Sequence, residues 1–284
     1  MANIKPLPKA SVLSYDTIQK LVQLKLKDLA DYVNEVESQD VCADMTFKEK
    51  FSMIIDRLYN SRSNETILKL RRAAHLREPQ AFLDYMYFEE GRHLSKETVV
   101  NLCTCDFMRY GNNIVIEGST GTGKTYLACC IANAAIEKCF KVKYVRMPDL
   151  DQEFCEWRAN PEKRRSTFRK RLASPALLIL DEWLSRPISE ELKRLIFDVV
   201  EDRLGKSSTI FCSQHSFSSW MEQLGNGCET ESLVDRVIHN ATSIVLDGKC
   251  NMREIAQKYH LNQSRYGDGL TLIAILNKLI RIEK

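Results

Sequence analysis

The chain has 284 residues, room for about two domains, and its 44% hydrophobic and 28% charged content is that of a folded chain, not a disordered one. Its 41 basic against 38 acidic residues leave a net charge of +3, too mild to imply nucleic acid by itself. The longest apolar stretch, 127–136, falls short of the roughly 20 residues a bilayer span needs, and no apolar run follows Lys5, Pro6 and Pro8 as in a signal peptide. Neither a secreted nor a membrane protein is expected, but a cytoplasmic one. Its ten cysteines, without a CxxC pair, read as reduced and largely buried thiols; zinc at Cys103 and Cys105 is the lesser alternative.

Residues 1–10 read as a tail, and from about 14 to 90 the pattern is helical. Ile18, Leu21, Val22, Leu24, Leu26, Leu29 and Val33 mostly follow the i, i+3, i+4 spacing of a helix. Thr46-Phe-Lys-Glu49 reads as a capping box opening a second helix with Phe51, Ile54, Ile55 and Leu58 inward, and a third is expected over 63–76. Charge is uneven: residues 28–49 hold seven acids against Lys48 alone, whereas 62–77 are basic. After Leu94 strands alternate with helices. Strands are expected at 113–117, 141–146, 176–180, 209–213 and 243–246, with helices over 124–138, up to 172, and over 189–204. This order predicts a parallel sheet covered on both faces. The expected domains are 1–95, all helical; 96–255, α/β; and a helical extension over 256–284, whose Leu270, Leu272, Ile273, Ile275, Leu276, Leu279 and Ile280 form a broad apolar face.

Gly118-Ser119-Thr120-Gly121-Thr122-Gly123-Lys124-Thr125, followed by Tyr126, fits GxxxxGK[ST] and lies between a predicted strand and a predicted helix. Glycines let the backbone wrap a phosphate, and the helix N-terminus adds positive potential. Lys124 then reaches the β- and γ-phosphates, and Thr125 offers its hydroxyl to Mg²⁺. Leu177-Leu-Ile-Leu-Asp181-Glu182 reads as a buried strand that delivers Asp181 to the Mg²⁺ shell and Glu182 to a hydrolytic water. The strand end Ser213-Gln214 places Gln214 as a γ-phosphate sensor or merely as a polar terminus. Arg236 reads either as a helix-surface arginine paired with a nearby acid, which spacing favours, or as a group reaching a neighbouring subunit's γ-phosphate. Arg253 reads as a second sensor or a solvated charge.

With these residues in place the sequence resembles the IstB-type transposition helper ATPases, relatives of the DnaC-type helicase loaders in the AAA+ superfamily. The likeness runs over about residues 15–255. It is carried by Leu102-Cys-Thr-Cys-Asp-Phe-Met-Arg-Tyr-Gly111, the P-loop, Leu177–Trp183, 201–209, 213–220 and Leu233-Val-Asp-Arg-Val-Ile-His-Asn240. The resemblance implies an AAA+ P-loop ATPase fold behind a small helical domain, with ATP and Mg²⁺ at the site. It also implies a homo-oligomer on duplex DNA that recruits or stimulates a transposase, with no membrane involved. In it Arg236 matches the arginine finger completing a neighbour's site and Arg253 the C-terminal sensor. Gln214 falls where asparagine is common, and Leu184-Ser185 stands where a glycine often follows Trp183.

Residues 156–171 carry seven bases and two acids. Arg158, Lys163, Arg164, Arg165, Arg169, Lys170 and Arg171 are therefore the expected DNA contacts, with a solvated helical face as the plain alternative. Lys69, Arg71, Arg72 and Arg77 form a weaker pool. A replicative helicase loader on single-stranded DNA is the main competing reading. A small-molecule P-loop kinase, for which Glu182 is surplus, and a non-hydrolysing DNA binder are the others.

Overall fold

The computed structural model describes residues 12–42, 44–88, 92–159, 165–225, 227–246 and 251–257. The chain divides into two compact units, 1–69 and 70–284.

The first unit is helical. Helix α1 (Tyr15–Gln23) starts at Ser14, whose Oγ accepts from the Thr17 amide, and is followed by α2 (Lys27–Glu37). The helical spacing expected through residue 33 is interrupted between them, where Lys25 takes φ 58°. Helix α3 (Phe47–Ala74) opens on the expected capping box: the Thr46 amide donates to Glu49 Oε2 at 2.8 Å, and the Glu49 amide to Thr46 Oγ1 at 3.4 Å. It then runs on as one helix, without the break expected before residue 63, since no Gly or Pro interrupts 47–74. Val36, Cys42 and Ile54 form the unit's small core. Phe51 and Ile55, expected inside, are exposed instead; Phe51 stacks on Phe47. Arg57 pairs with Glu35 at 2.8 Å and Lys50 with Glu37 at 3.2 Å, offsetting part of the acidic excess.

The second unit starts well before the expected boundary near 95, because residues 70–95 are tied to it. Asn133 Nδ2 donates to the carbonyls of Pro79 and Ala81, and the buried Arg92 donates through Nε to the Thr122 carbonyl and through Nη1 to that of Tyr87. Then come α4 (Lys96–Cys103), β1 (Asn113–Gly118), α5 (Lys124–Glu137), β2 (Val142–Arg146), α6 (Met147–Arg158), α7 (Arg165–Ala173) and β3 (Leu177–Trp183). They are followed by α8 (Glu190–Arg203), β4 (Ser208–Ser213), α9 (Phe217–Leu224), α10 (Cys228–His239) and β5 (Ala241–Leu246).

All five strands are parallel, in the order β2-β3-β4-β1-β5. β1 and β3 both flank β4, so the loop after β1 and the C-terminal ends of β3 and β4 meet at one edge of the sheet. Leu177–Leu180 are fully buried, as a strand covered on both faces must be. Cys129, Cys130 and Cys212 are buried as expected, and Cys103 Sγ lies 4.0 Å from Cys130 Sγ. At the opposite end, buried Arg203 donates to the carbonyls of Ala173 and Pro175 and to Thr209 Oγ1, pinning α7 to the starts of β3 and β4. Residues 252–257 are helical, and the apolar face expected over 270–280 lies outside the described residues.

Candidate active site

The loop between β1 and α5 has the backbone its glycines permit. Gly123 takes φ +88°, and a Cβ there would stand 2.6 Å from Arg92 Nη2; one on Gly118 would stand 2.6 Å from the Leu246 carbonyl oxygen. Lys124 Nζ donates to the carbonyls of Gly118 and Ser119 at 2.7 and 2.8 Å, and burial pulls its ammonium below the ordinary lysine range. Thr125 Oγ1 donates to Asp181 Oδ2 at 2.8 Å, so hydroxyl and carboxylate converge although 56 residues apart. Tyr144 on β2 donates its phenol to the same oxygen at 2.6 Å, and the Glu182 amide donates to Asp181 Oδ1.

Strand β3 is irregular where it matters: its pairing with β4 shifts between Leu180 and Trp183, and Glu182 and Leu184 take φ 55° and 53°. Left-handed backbone at non-glycine residues costs of order 1–3 kcal/mol and persists only where the surroundings enforce it. Leu184 is buried. The irregularity turns Glu182 toward two arginines. Arg146 Nε donates to its Oε1 at 2.8 Å and Arg77 Nη1 to the same oxygen at 3.1 Å. The Arg146 hydrogen bond is the main reason the Glu182 carboxyl titrates below the usual glutamate range, against a smaller opposing push from burial.

Lys124, Thr125, Asp181 and Glu182 line one cavity of about 410 Å³ together with Thr120, Gly121, Gly123, Tyr126, Gln214 and Arg253. Gln214 Oε1 accepts from Thr120 Oγ1 at 3.0 Å, which ties the end of β4 to the loop. Sequence reading missed Tyr85, Met86, Tyr87, Arg92 and Met252, which line the same cavity from before α4 and after β5. No local motif marks them; Tyr85, Met86, Tyr87 and Arg92 come from the segment anchored by Asn133 and Arg92 itself, and the Met252 amide donates to the Gly121 carbonyl. Arg77, counted in the weaker DNA pool, also lines it. The donor set suits a nucleoside triphosphate: an ammonium and loop amides for phosphate, and a hydroxyl–carboxylate pair for Mg²⁺, which protein sites hold with one or two carboxylates plus substrate phosphate.

The sequence pattern of the IstB-like ATP-binding proteins matches residues 19–258. The chain belongs to this family. It is 29% identical over 247 residues to the insertion sequence ATP-binding protein y4pL of Sinorhizobium fredii (strain NBRC 101917 / NGR234), covering 87% of this chain and all of that one. It is 25% identical over 254 residues to the insertion sequence IS21 ATP-binding protein of Pseudomonas aeruginosa, covering 88% and 91%. The fold is similar to AMPPCP-bound DnaA from Aquifex aeolicus, with a TM-score of 0.54 at 24% identity, over 66% of this chain and 56% of that one. It is also similar to the DnaC helicase loader, with a TM-score of 0.50 at 20% identity, over 58% and 96%. The second unit thus shares the fold of these proteins, a five-stranded parallel sheet with the phosphate-binding loop after β1.

The other expected site residues of this IstB-like chain lie apart from the cavity. Arg236 on α10 pairs with Glu201 on α8 at 2.6 Å, and both are about half exposed. In the basic tract, Arg158 pairs with Glu191, Arg169 with Asp198 and Asp202, and Arg171 with Glu153 while covering the Phe168 ring. Lys170 is exposed on α7; Lys163 and Arg164 lie outside the described residues, as does the side chain of Arg165. From the weaker pool, Arg71 pairs with Glu137 and covers Phe82. Among the described residues no helix is long and apolar enough to cross a membrane.

Proposed function

We propose that this IstB-like chain hydrolyses ATP and couples hydrolysis to assembly on duplex DNA, where it recruits or stimulates a transposase. The observation that carries the reading is the meeting of Lys124, Thr125, Asp181 and Glu182 in one cavity, in a chain whose relatives are insertion sequence ATP-binding proteins. Lys124 leaves its two carbonyls for the β- and γ-phosphates. Thr125 and Asp181 hold Mg²⁺, whose charge offsets that of the phosphates. Glu182 orients a water and accepts its proton, while Gln214 and Arg253 contact the γ-phosphate end.

Arg236 completes the site of an adjacent subunit. Its pair with Glu201 is exposed, and such pairs contribute about 0–1 kcal/mol, so a neighbour's phosphate displaces it cheaply. Duplex DNA is held by the tract 158–171. There Lys170 is the leading contact among the described residues, because Arg158, Arg169 and Arg171 already have acidic partners. The domain reading becomes 1–69 for partner or self-assembly and 70–257 for the ATPase.

Sedimentation of the Glu182→Gln protein with Mg-ATP tests this against duplex DNA, single-stranded DNA and no DNA. A large ATP-dependent complex on duplex supports the proposal, and Arg236→Ala should dissolve it. Assembly on single strands alone would make the chain a helicase-loader-like protein, and a monomer in every arm would refute trans-completion by Arg236.

A further inference from the structure

We infer that Arg77 is a γ-phosphate contact supplied by the same subunit, one that exchanges Glu182 for the terminal phosphate when ATP enters. The inference rests on the reading of this cavity as an ATP site.

Helix α3 stops at His75, whose φ of 53° is a left-handed helix end, and Arg77 lies two residues later. The segment is held in place: Asn133 on α5, two turns beyond Thr125, binds the Pro79 and Ala81 carbonyls. Arg77 therefore reaches the cavity from an anchored backbone while its guanidinium stays 44% exposed and able to move. Its carboxylate partner is Glu182, it also meets the Tyr144 hydroxyl, and it shares the cavity wall with Lys124, Thr125 and Asp181. A group beside Glu182 lies at the end of the site where the γ-phosphate must sit if Glu182 is to activate water against it.

Charge points the same way. A single oxygen, Glu182 Oε1, takes both Arg146 and Arg77. Arg146 also reaches Asp149 at 3.2 Å, so it is anchored on two carboxylates and does not line the cavity. Arg77 is the second cation on an already neutralised carboxylate. It loses little by leaving, and a phosphate oxygen offers a doubly charged group that a guanidinium can grip in fork geometry. ADP lacks that group, so Arg77 discriminates triphosphate from diphosphate. Once Arg77 departs, Glu182 is held by Arg146 alone.

The test is equilibrium titration of the full chain with mant-AMPPNP and mant-ADP in Mg²⁺, for wild type, Arg77→Ala, Arg77→Lys, Glu182→Gln and Arg77→Ala combined with Glu182→Gln. Without its charge-assisted hydrogen bond to the γ-phosphate, the Arg77→Ala protein should bind mant-AMPPNP about ten- to a hundredfold more weakly and mant-ADP less than about twofold more weakly. Arg77→Lys should fall between. Glu182→Gln, which removes the competing partner, should tighten mant-AMPPNP only where Arg77 is present. Equal losses for the two nucleotides, or no loss, would overturn the assignment. If the wild type bound neither nucleotide, the ATP-site reading would fail and this inference with it. Tight, Arg77-dependent discrimination without assembly on DNA would leave the inference standing and remove only the DNA reading.

Discussion

Tyr144→Phe removes one hydroxyl at the centre of the site. The Tyr144 ring is buried on β2 and stays so as phenylalanine; only the hydroxyl 2.6 Å from Asp181 Oδ2 is removed. Burial pushes the Tyr144 phenol up, and the Asp181 charge adds to this, so it remains a donor at any working pH. A hydrogen bond to a charged group contributes about 1.5–3 kcal/mol, and Asp181 keeps further donors, among them Thr125 Oγ1 and the Glu182 amide. The lower end, about 1.5 kcal/mol, therefore applies. It corresponds to a fall of about 3–6 °C in the thermal midpoint of a domain this size. The larger effect should be on Mg²⁺: loss of a hydrogen bond that orients a metal-binding carboxylate typically lowers metal affinity about 10- to 100-fold. Differential scanning fluorimetry reads the first quantity, and Mg²⁺ titration of mant-AMPPNP binding reads the second. A Tyr144→Phe protein with unchanged midpoint and unchanged Mg²⁺ dependence would refute the assignment of Tyr144 as the group that positions Asp181.

Four further outcomes are expected. Gly123→Ala should cost about 1–2 kcal/mol for its left-handed backbone and push against the anchored Arg92, lowering nucleotide affinity more than about tenfold in the same titration. Thr46→Ala removes the cap of α3 and should cost about 1 kcal/mol, read as an earlier loss of helical circular dichroism in urea. Glu117 is pushed up by burial, and its Oε1 has no hydrogen-bond partner among the described residues. A raised carboxyl stabilises the fold below its unfolded pKa and loses that contribution as pH rises through the folded value. Glu117→Gln should therefore raise the thermal midpoint at pH 7.5, with the gain shrinking to nothing by about pH 4. Lys170→Glu should weaken duplex binding and flatten its salt dependence by about one phosphate's worth, whereas Arg169→Ala should act mainly on stability; equal effects of both on the salt slope would contradict the pairing seen on α7.

Much of the chain was legible because its signals are local. The capping box at Thr46, the run 177–180 and the glycines of 118–123 each depend on neighbours within a few residues, so residue type and spacing suffice. The expected strands all appear, shifted only at their ends, and their alternation with helices correctly implies a parallel sheet. Where a decision depended on distant groups, sequence reasoning failed or stayed open. Phe51 and Ile55 carry helical spacing, but which face of α3 is covered is settled by what packs on it, and Ile54 is inside while they are not. The basic tract looks one-sided along the chain, yet its partners Glu153, Glu191, Asp198 and Asp202 come from α6 and α8.

The sequence alone determined that a phosphate-binding loop, a carboxylate strand and a polar strand end exist, since each is written in consecutive residues. Only the tertiary structure decided that Tyr144 braces Asp181, that Arg77 and Arg146 share one oxygen of Glu182, and that Arg77, Tyr85, Met86, Tyr87 and Arg92 wall the cavity. The strand order places β3 and β1 on either side of β4, and the backbone at Glu182 is left-handed; neither is encoded by any run of neighbouring residues. Long-range packing sets both, and with them the charge that surrounds Glu182.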